Sequence, residues 1–422
     1  MAQEQTAKTG NPFSQFFKDC VHRFVIPEAK QIYQGPLTVV KQLKNPADVF
    51  SRGISDVTYI ITVLALVLFG LLIHYSASYS NMEQLVYAIA GLVVMAIASH
   101  VKIETYKNVS AAFMMLATAF MFIVLLTSED YNGTHRWLWH FQPSELGKVA
   151  LILYLAYLID KYKEKHLKLS TFVIFLIITA FYGVLVLAES HLSGAILFLC
   201  IGYSMMWFGD MSKKGFAVIT AIVVIGILAV IWKPDSLSLV PGIHEYQIDR
   251  IRIWKKILLD ENSITAKEKI NNARQVLQSL YGIGSGGFFG VGFGNSGQKV
   301  SNLSEKSNDF IFAVIGEELG FFGSIGVIAL FGFLVFQGIR IAIHSKTYYG
   351  SLVALGISVQ IALQVLINIA VATSLLPNTG ISLPFFSSGG SSMLISLASV
   401  GIVLSVAKDT DRSKGVKQNA KR

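Results

Sequence analysis

The sequence predicts an all-α polytopic membrane protein with about ten transmembrane helices and a large extracytoplasmic loop between helices 7 and 8. Of its 422 residues, 53% are hydrophobic and only 14% are charged, a composition typical of polytopic membrane proteins. Long apolar runs recur along the chain, and polar segments separate them. We expect helices, because an exposed backbone finds no hydrogen-bond partners in lipid.

The predicted spans follow from the length of the apolar runs. A run of about 18 residues is long enough to cross the hydrocarbon core as a helix. The spans are 57–77, 84–100, 109–128, 145–160, 171–188, 192–208, 215–233, 319–343, 350–375 and 388–407. The fourth and sixth are short or contain polar residues, so the count of ten depends on these two.

The positions of Lys and Arg indicate the orientation. If both termini are cytoplasmic, the tails and the inner loops hold most of the 35 basic residues, and Arg136 is the only one in a short outer loop. The net charge of +9 then reflects topology and attraction to lipid headgroups, not binding of nucleic acid. The two cysteines, Cys20 and Cys200, exclude a disulfide framework.

This orientation divides the chain into three parts. Residues 1–56 form a cytoplasmic arm, 57–407 the membrane domain and 408–422 a basic cytoplasmic tail. In the arm, apolar residues at helical spacing allow either a helix on the inner membrane face or an irregular segment. These residues are Phe13, Phe16, Phe17, Val21 and Phe24.

The segment 234–308 between spans seven and eight is much longer than an ordinary connection. It contains many aromatic residues, so we expect a folded, partly re-entrant lid. Its glycine-rich stretch 282–294 either cradles an anion with free amides or packs closely against the bundle. The stretch 292–297 matches a dinucleotide fingerprint, but no strand–helix unit surrounds it, so that interpretation is rejected.

Asp309 follows this loop at the point where a polar stretch becomes an apolar helix. An ionisable group at the edge of a membrane indicates a function.

Two further polar segments are predicted at the same face. The first, 133–145, contains Arg136, which either binds phosphate or anchors the chain at the headgroups beside Trp137. Gln142, Ser144, Glu145 and Lys148 are expected to form a buried network that orients the helix.

The second polar segment, 376–392, contains two prolines and three glycines that break the helix between spans nine and ten. Such segments persist at membrane depth only against protein or a wet cavity. Gln360, Gln364 and Asn368 recur every four residues on one face of span nine. This face either lines a cavity or makes hydrogen bonds between helices.

Several short motifs, in order along residues 57–408, resemble the SEDS family (shape, elongation, division, sporulation) of bacteria. The motifs are RW at 136–137, FQPSE at 141–145, YQ at 246–247 with Arg250, QS at 278–279, GIGSGG at 282–287, NDFIFA at 308–313, GEELG at 316–320, LPF at 383–385 and GGSS at 389–392. The stretch 294–299 and Asn308-Asp309 are more similar to the division branch, with FtsW and SpoVE, than to the elongation branch, with RodA.

The resemblance implies a peptidoglycan glycosyltransferase at the outer face of the bacterial cytoplasmic membrane. It would polymerise lipid II, the undecaprenyl-diphosphate-linked disaccharide peptide, beside a class B penicillin-binding protein that cross-links the strands. Other divisome or elongasome proteins and membrane lipids are further expected partners. The family's essential Asp corresponds to Asp309, and its functional Trp in the first outer loop corresponds to Trp137.

Two departures from the family pattern limit this comparison. The family often has Leu-Pro-Glu before its essential Asp, where this chain has Leu303-Ser304-Glu305 without the rigid proline. At span six the common Gln-Pro-Asp-Leu-Gly is replaced by Glu189-Ser190-His191-Leu192-Ser193-Gly194. A role for an Asp in that stretch is therefore not carried over, and His191 is expected to be a hydrogen-bonded histidine at a cavity edge.

In this chemistry a weakly nucleophilic sugar hydroxyl displaces a lipid diphosphate. Asp309 is predicted to act as the general base or as a ligand of Mg²⁺ or Mn²⁺, with no organic cofactor. Arg136, Arg250, Arg252 and Lys299 are candidates for stabilising the leaving diphosphate. The full set of substrate-binding candidates is Arg136, Trp137, Ser144, Glu145, Lys148, Arg250, Arg252, Gln278, Ser285, Gly286, Lys299 and Glu305.

Two other classes of function remain alternatives. A flippase or transporter of lipid-linked precursors would also need ten spans and broken segments, but it predicts charges at the middle of the bilayer. Here the charges concentrate towards the outer surface. A non-catalytic divisome scaffold is the second alternative, and activity of the isolated protein would distinguish it from an enzyme.

Overall fold

The protein is a bundle of long α-helices. A computed structural model describes residues 52–78, 82–127, 137–138, 141–165, 168–239, 245–259, 273–297 and 308–419. The helices in these ranges are α1 Arg52–Ser78, α2 Met82–His100, α3 Ile103–Thr127, α4 Pro143–Lys161, α5 Leu169–Ala188, α6 Leu192–Phe208, α7 Lys213–Trp232, α8 Glu245–Leu259, α9 Arg274–Ser285, α10 Ile311–His344, α11 Tyr348–Ala372 and α12 Gly390–Asn419. Short 3₁₀ turns at Lys163–Lys165 and Pro234–Leu239 follow α4 and α7.

Within the described part, α1–α7 and α10–α12 occupy the predicted spans, and α8 and α9 lie in the long loop. Eight of these helices are long and apolar enough to cross a membrane. The other two are α4 and α6, on which the predicted count depended. α4 contains Glu145, Lys148 and Asp160, and α6 has 17 residues. The predicted all-α polytopic fold with ten spans is confirmed.

Three helix ends differ from the predicted spans. α1 begins at Arg52, inside the predicted arm, α10 begins at Ile311 instead of 319, and α12 continues past 407 to Asn419. The reason is that hydropathy detects the segment that crosses lipid, whereas a helix continues wherever its backbone stays bonded. The interfacial helix predicted around Phe13–Phe24 lies outside the described residues.

α11 and α12 are the most buried of the long apolar helices. α11 packs against α4, α6 and α10, and α12 packs along α2. Small residues allow this close approach. At Gly401 of α12, for example, a Cβ would lie 2.4 Å from the main-chain oxygen of Met95 in α2. α7 is exposed along most of its length, so we expect lipid to cover it.

α10 is kinked at Gly320, whose φ of 66° and ψ of −161° are not helical. The part of α10 before the kink is buried, and the part after it presents exposed aromatic residues. A kink interrupts the main-chain ladder, so nearby amides and carbonyls need other partners. The glycine-rich stretch of the loop supplies them. The bonds are Val291 N to Glu317 O at 2.9 Å, Gly292 N to Glu318 O at 3.0 Å, Phe321 N to Gly287 O at 2.9 Å and Phe322 N to Phe288 O at 3.2 Å.

The glycines of this stretch make the close contact possible. A Cβ at Gly286 would lie 2.0 Å from the main-chain oxygen of Gly316, and one at Gly290 would lie 2.1 Å from that of Glu318. The side chain of Glu317 also binds the residues just after the stretch, through Ser296 Oγ and the amide of Gly297, the latter at 2.9 Å. Of the two interpretations of the glycines, the structure favours close packing against the bundle.

Candidate functional site

Asp309 lies on the turn 308–310, directly before α10, and is half-buried. Its main-chain carbonyl accepts a hydrogen bond of 3.0 Å from Nδ2 of Asn368 in α11. Its carboxylate lies beside Gly380, where a Cβ would be 3.2 Å from Oδ2 of Asp309. The carboxylate is therefore set in place by α11 and by the chain that follows α11.

Residues 373–389, which we call the broken segment, join α11 to α12 without a regular helix. Ser387 of this segment donates from Oγ to the carbonyl of Asn308 at 2.7 Å, and Ser388 donates to Oδ1 of Asn308. Ser387 Oγ also accepts a 2.8 Å bond from the amide of Leu383. The turn that carries Asp309 is thus bound on both sides of the carboxylate.

Two helices of the bundle, α2 and α6, also bind the broken segment. Gln84 of α2 donates to the carbonyl of Ser387 at 3.1 Å, and Ser193 of α6 donates to the carbonyl of Thr379. These partners satisfy carbonyls that a helix would otherwise satisfy, which is how irregular backbone persists at membrane depth. The prediction of a helix break in this region is confirmed.

α8 of the long loop binds main-chain carbonyls of the same segment, and α9 binds that of Ala372, the last residue of α11. Arg250 donates to the carbonyl of Asn378 at 3.3 Å, and Trp254 donates to that of Ser374 at 3.0 Å. Ser279 of α9 donates to the carbonyl of Ala372 at 2.7 Å. The described helices of the loop, α8 and α9, therefore lie over the end of α11.

The two arginines of α8 have different surroundings. The guanidinium of Arg250 lies 5.5 Å from the centroid of the Tyr246 ring and reaches the broken segment two residues before Gly380. Arg252 donates hydrogen bonds to three carboxylates, and these bonds raise the pKa of its guanidinium. These carboxylates belong to Asp235, Glu245 and Asp249, at 2.6, 2.7 and 2.7 Å. Of the two, only Arg250 is joined to the segment beside Asp309.

Glu145 and Lys148 form a buried ion pair of 2.7 Å in the first turns of α4. Both are almost fully buried, and the buried hydroxyl of Ser144 makes no hydrogen bond to any residue in the described ranges. Ile152, one turn further along α4, lies against Gly356 of α11.

We expect Lys148→Met to lower the stability of the protein by about 3–5 kcal/mol, because it leaves Glu145 buried and unpaired. The double variant Glu145→Gln/Lys148→Met removes both charges and should recover most of that loss. Thermal unfolding of the purified proteins in detergent measures both. A single variant as stable as wild type would contradict the buried pair. Recovered stability without recovered activity would instead indicate that the pair contacts substrate.

The stretch 189–191, where the chain departs from the family pattern, forms the turn between α5 and α6. Tyr246 donates to the carbonyl of Ser190 at 3.1 Å, and Gln142 lies 3.4 Å from Nδ1 of His191. His191 is buried and has polar neighbours. The turn thus links α8 to the residue before α4.

The remaining candidates are more scattered. Gln278 is half-buried in α9, Ser285 is exposed and donates to the carbonyl of Gly282 at 2.9 Å, and Gly286 is buried against α10. Trp137 is 42% exposed. Arg136, Lys299 and Glu305 lie outside the described residues.

The structure therefore brings Asp309 together with the broken segment and, through that segment, with Arg250. Three contributors were not among the candidates, namely Asn308, Asn368 and Gly380. The four-residue spacing of Gln360, Gln364 and Asn368 was a signal for the polar face of α11. No signal in the sequence indicated which carbonyls Asn368 binds.

Comparison with known proteins gives a consistent family match. A family model described as "Cell cycle protein", for FtsW, RodA and SpoVE, matches residues 56–412. Probable peptidoglycan glycosyltransferase FtsW of Trichlorobacter lovleyi is 32% identical over 372 residues, which cover 83% of this chain and 93% of that protein. Stage V sporulation protein E of Bacillus subtilis is 33% identical over 375 residues, covering 84% and 97%.

Solved structures share the fold. A chain from work described as "Structural coordination of polymerization and crosslinking by a peptidoglycan synthase complex" matches with a TM-score of 0.69 and 23% identity, covering 84% of this chain and 97% of that one. Rod shape determining protein RodA of Thermus thermophilus matches with a TM-score of 0.60 and 21% identity, covering 83% and 96%.

Proposed function

The chain belongs to the SEDS family of membrane proteins, that of FtsW, RodA and SpoVE, and from this premise we propose that it is a peptidoglycan glycosyltransferase that polymerises lipid II. The observation that carries the proposal is the setting of Asp309. Its half-buried carboxylate lies against Gly380, and its main chain is bonded to α11. A carboxylate fixed in this way is suited to transfer of a proton at a defined position.

In the proposed reaction, a sugar hydroxyl of one lipid-linked unit attacks the anomeric carbon of another. A glycosidic C–O bond forms, the bond from the anomeric carbon to the diphosphate breaks, and the lipid diphosphate leaves with the bonding electrons. Asp309 takes the proton of the attacking hydroxyl. General base catalysis of this kind contributes about 10²–10⁴-fold to a rate.

The leaving diphosphate needs positive charge. Arg250 is the described candidate, because it is joined to the broken segment near Gly380 and presents several donors in a fixed plane. Arg252 is less suited, because three carboxylates already neutralise it. Arg136 and Lys299 keep the role that the sequence predicts for them.

A divalent cation, Mg²⁺ or Mn²⁺, is part of the proposal. The described residues contain no cluster of three His, Cys, Asp or Glu side chains that could hold a metal. A cation here would rely on Asp309 and on neutral oxygens, which such hard cations accept. Asn378 Oδ1 and Thr379 Oγ1, on the two residues before Gly380, are candidates for this role, because both are buried and make no hydrogen bond to the residues that the structure describes. When bound, the cation would neutralise charge on the diphosphate.

We further propose that both termini are cytoplasmic, so that Asp309 faces the outer side of the bacterial cytoplasmic membrane. The distribution of Lys and Arg supports this orientation. Relatives named FtsW and Stage V sporulation protein E support a role in septal wall synthesis. A class B penicillin-binding protein is the proposed partner, and the similarity to a chain of a peptidoglycan synthase complex supports it.

The test is polymerisation of lipid II by the purified full-length protein, with and without a cognate class B penicillin-binding protein, in the presence of Mg²⁺ or Mn²⁺. We expect glycan strands in the presence of the partner. A folded protein that yields none under either condition would overturn the proposal. Lipid II translocation in proteoliposomes would then favour the flippase, and partner binding alone would favour the scaffold.

A further inference from the structure

Asp309 depends on distant residues for its position. It lies on a three-residue turn before the first residue of α10, outside the regular ladder of that helix. Ser387 and Ser388 bind the preceding residue, Asn308. Asn368 binds the carbonyl of Asp309 itself, at 3.0 Å.

Asn368 is 1% exposed and lies in α11, one turn before its end at Ala372. Its Nδ2 donates to two carbonyls, that of Asp309 at 3.0 Å and that of Ile381 at 2.7 Å. A side-chain amide nitrogen has two N–H groups and no charge, so it can bridge two carbonyls without burying an ion. One side chain thus ties α11, the turn of Asp309 and the broken segment together.

The bond to the carbonyl of Ile381 matters because Ile381 follows Gly380. Gly380 lies against Oδ2 of Asp309, and its φ is +70°. Asn368 therefore fixes the backbone on both sides of the carboxylate, at Asp309 and next to Gly380. A shift of either backbone would change the position of the carboxylate relative to substrate.

The same face of α11 provides a comparison. Gln364 lies one turn before Asn368 and is also 1% exposed. Among the described residues it makes no hydrogen bond to the carbonyl of Asp309 or to that of Ile381. Both side chains are buried amides of the same helix, and only Asn368 reaches the site.

We infer that Asn368 is a positioning residue that sets the carboxylate of Asp309 for catalysis through the two main-chain carbonyls. This inference rests on the proposed polymerase function. It goes beyond a role in helix packing, because it predicts a loss of turnover that a matched change on the same face does not cause.

The test compares three variants of the full-length protein with wild type, namely Asn368→Leu, Asn368→Gln and the control Gln364→Leu. We expect Asn368→Leu to lower kcat for lipid II polymerisation by about 10-fold or more with KM little changed, because a shift of about 1 Å in a reacting group costs up to about 100-fold. Asn368→Gln keeps the two N–H groups and should recover part of kcat. Gln364→Leu should leave kcat close to wild type.

A second measurement does not need activity. Hydrogen–deuterium exchange at the amides of 309–312 should accelerate in Asn368→Leu and stay near wild type in Gln364→Leu. Equal exchange and equal kcat in the two Leu variants would overturn the inference. If wild type yields no glycan strands, the proposed function fails, and the exchange comparison still decides whether Asn368 holds the turn of Asp309.

Discussion

Asp309→Asn is expected to abolish measurable polymerisation of lipid II, with a loss of about 10²–10⁴-fold, because asparagine matches the shape of the side chain but accepts no proton. The variant should fold normally. Asn368 binds the main chain of residue 309, and that bond does not depend on the side chain. The measurement is the yield of glycan strands from purified full-length protein with its partner and Mg²⁺.

Asp249→Asn is the matched control. Asp249 is a carboxylate of the long loop that accepts from Arg252 at 2.7 Å in an exposed network, where ion pairs contribute little. It should retain activity. Titration with Mg²⁺ or Mn²⁺ separates the two roles of Asp309, because added cation restores part of the activity only if the carboxylate is a metal ligand. Full activity of Asp309→Asn would contradict both roles.

Gly380→Ala is expected to lower kcat by about 10-fold, because the added Cβ moves the carboxylate of Asp309 by a few tenths of an ångström, whereas a displacement of about 1 Å costs about 100-fold. The added Cβ would lie 3.2 Å from Oδ2 of Asp309, so the carboxylate must move. The backbone is also strained, since φ of +70° costs a non-glycine residue about 1–2 kcal/mol. Steady-state polymerisation kinetics and thermal unfolding measure the two effects separately.

Gly294→Ala controls for the backbone strain alone. Gly294 has a φ of +83°, and none of the residues that the structure describes lies within 4 Å of the Cβ that alanine would add. A loss of stability without a comparable loss of kcat is therefore expected there. Equal kcat in the Gly380→Ala and Gly294→Ala variants would show that the contact with Asp309 does not affect the reaction.

Much of the fold could be predicted because membrane spans are local in sequence. Apolar runs define α1–α7 and α10–α12, and the doubtful spans were α4, with its buried charges, and the short α6. The kink at Gly320 could not be predicted. Whether a glycine in an apolar helix bends it depends on whether another segment satisfies the freed carbonyls, and here that segment is 287–292.

The site could be predicted only in part, for a similar reason. Asp309 stands out as a carboxylate at the start of an apolar helix, and Arg250 as a cation in the long loop. Their surroundings come from positions far along the chain. In the sequence, Gly380 is one of several helix-breaking residues and Asn368 is one of several polar residues on α11. The structure shows that both lie against Asp309.

The direction in which a chain is made gives these contacts a temporal order. The loop residues that brace the kink in α10 precede α10 in the sequence, so they are already synthesised when Gly320 leaves the ribosome. Asn368, Gly380 and Ser387 are synthesised after Asp309. The carboxylate thus gains these neighbours only after the chain has been synthesised as far as Ser387. In a nascent chain that ends before the broken segment, Asp309 lacks the contacts that position its carboxylate. The site is therefore incomplete until the broken segment has been synthesised.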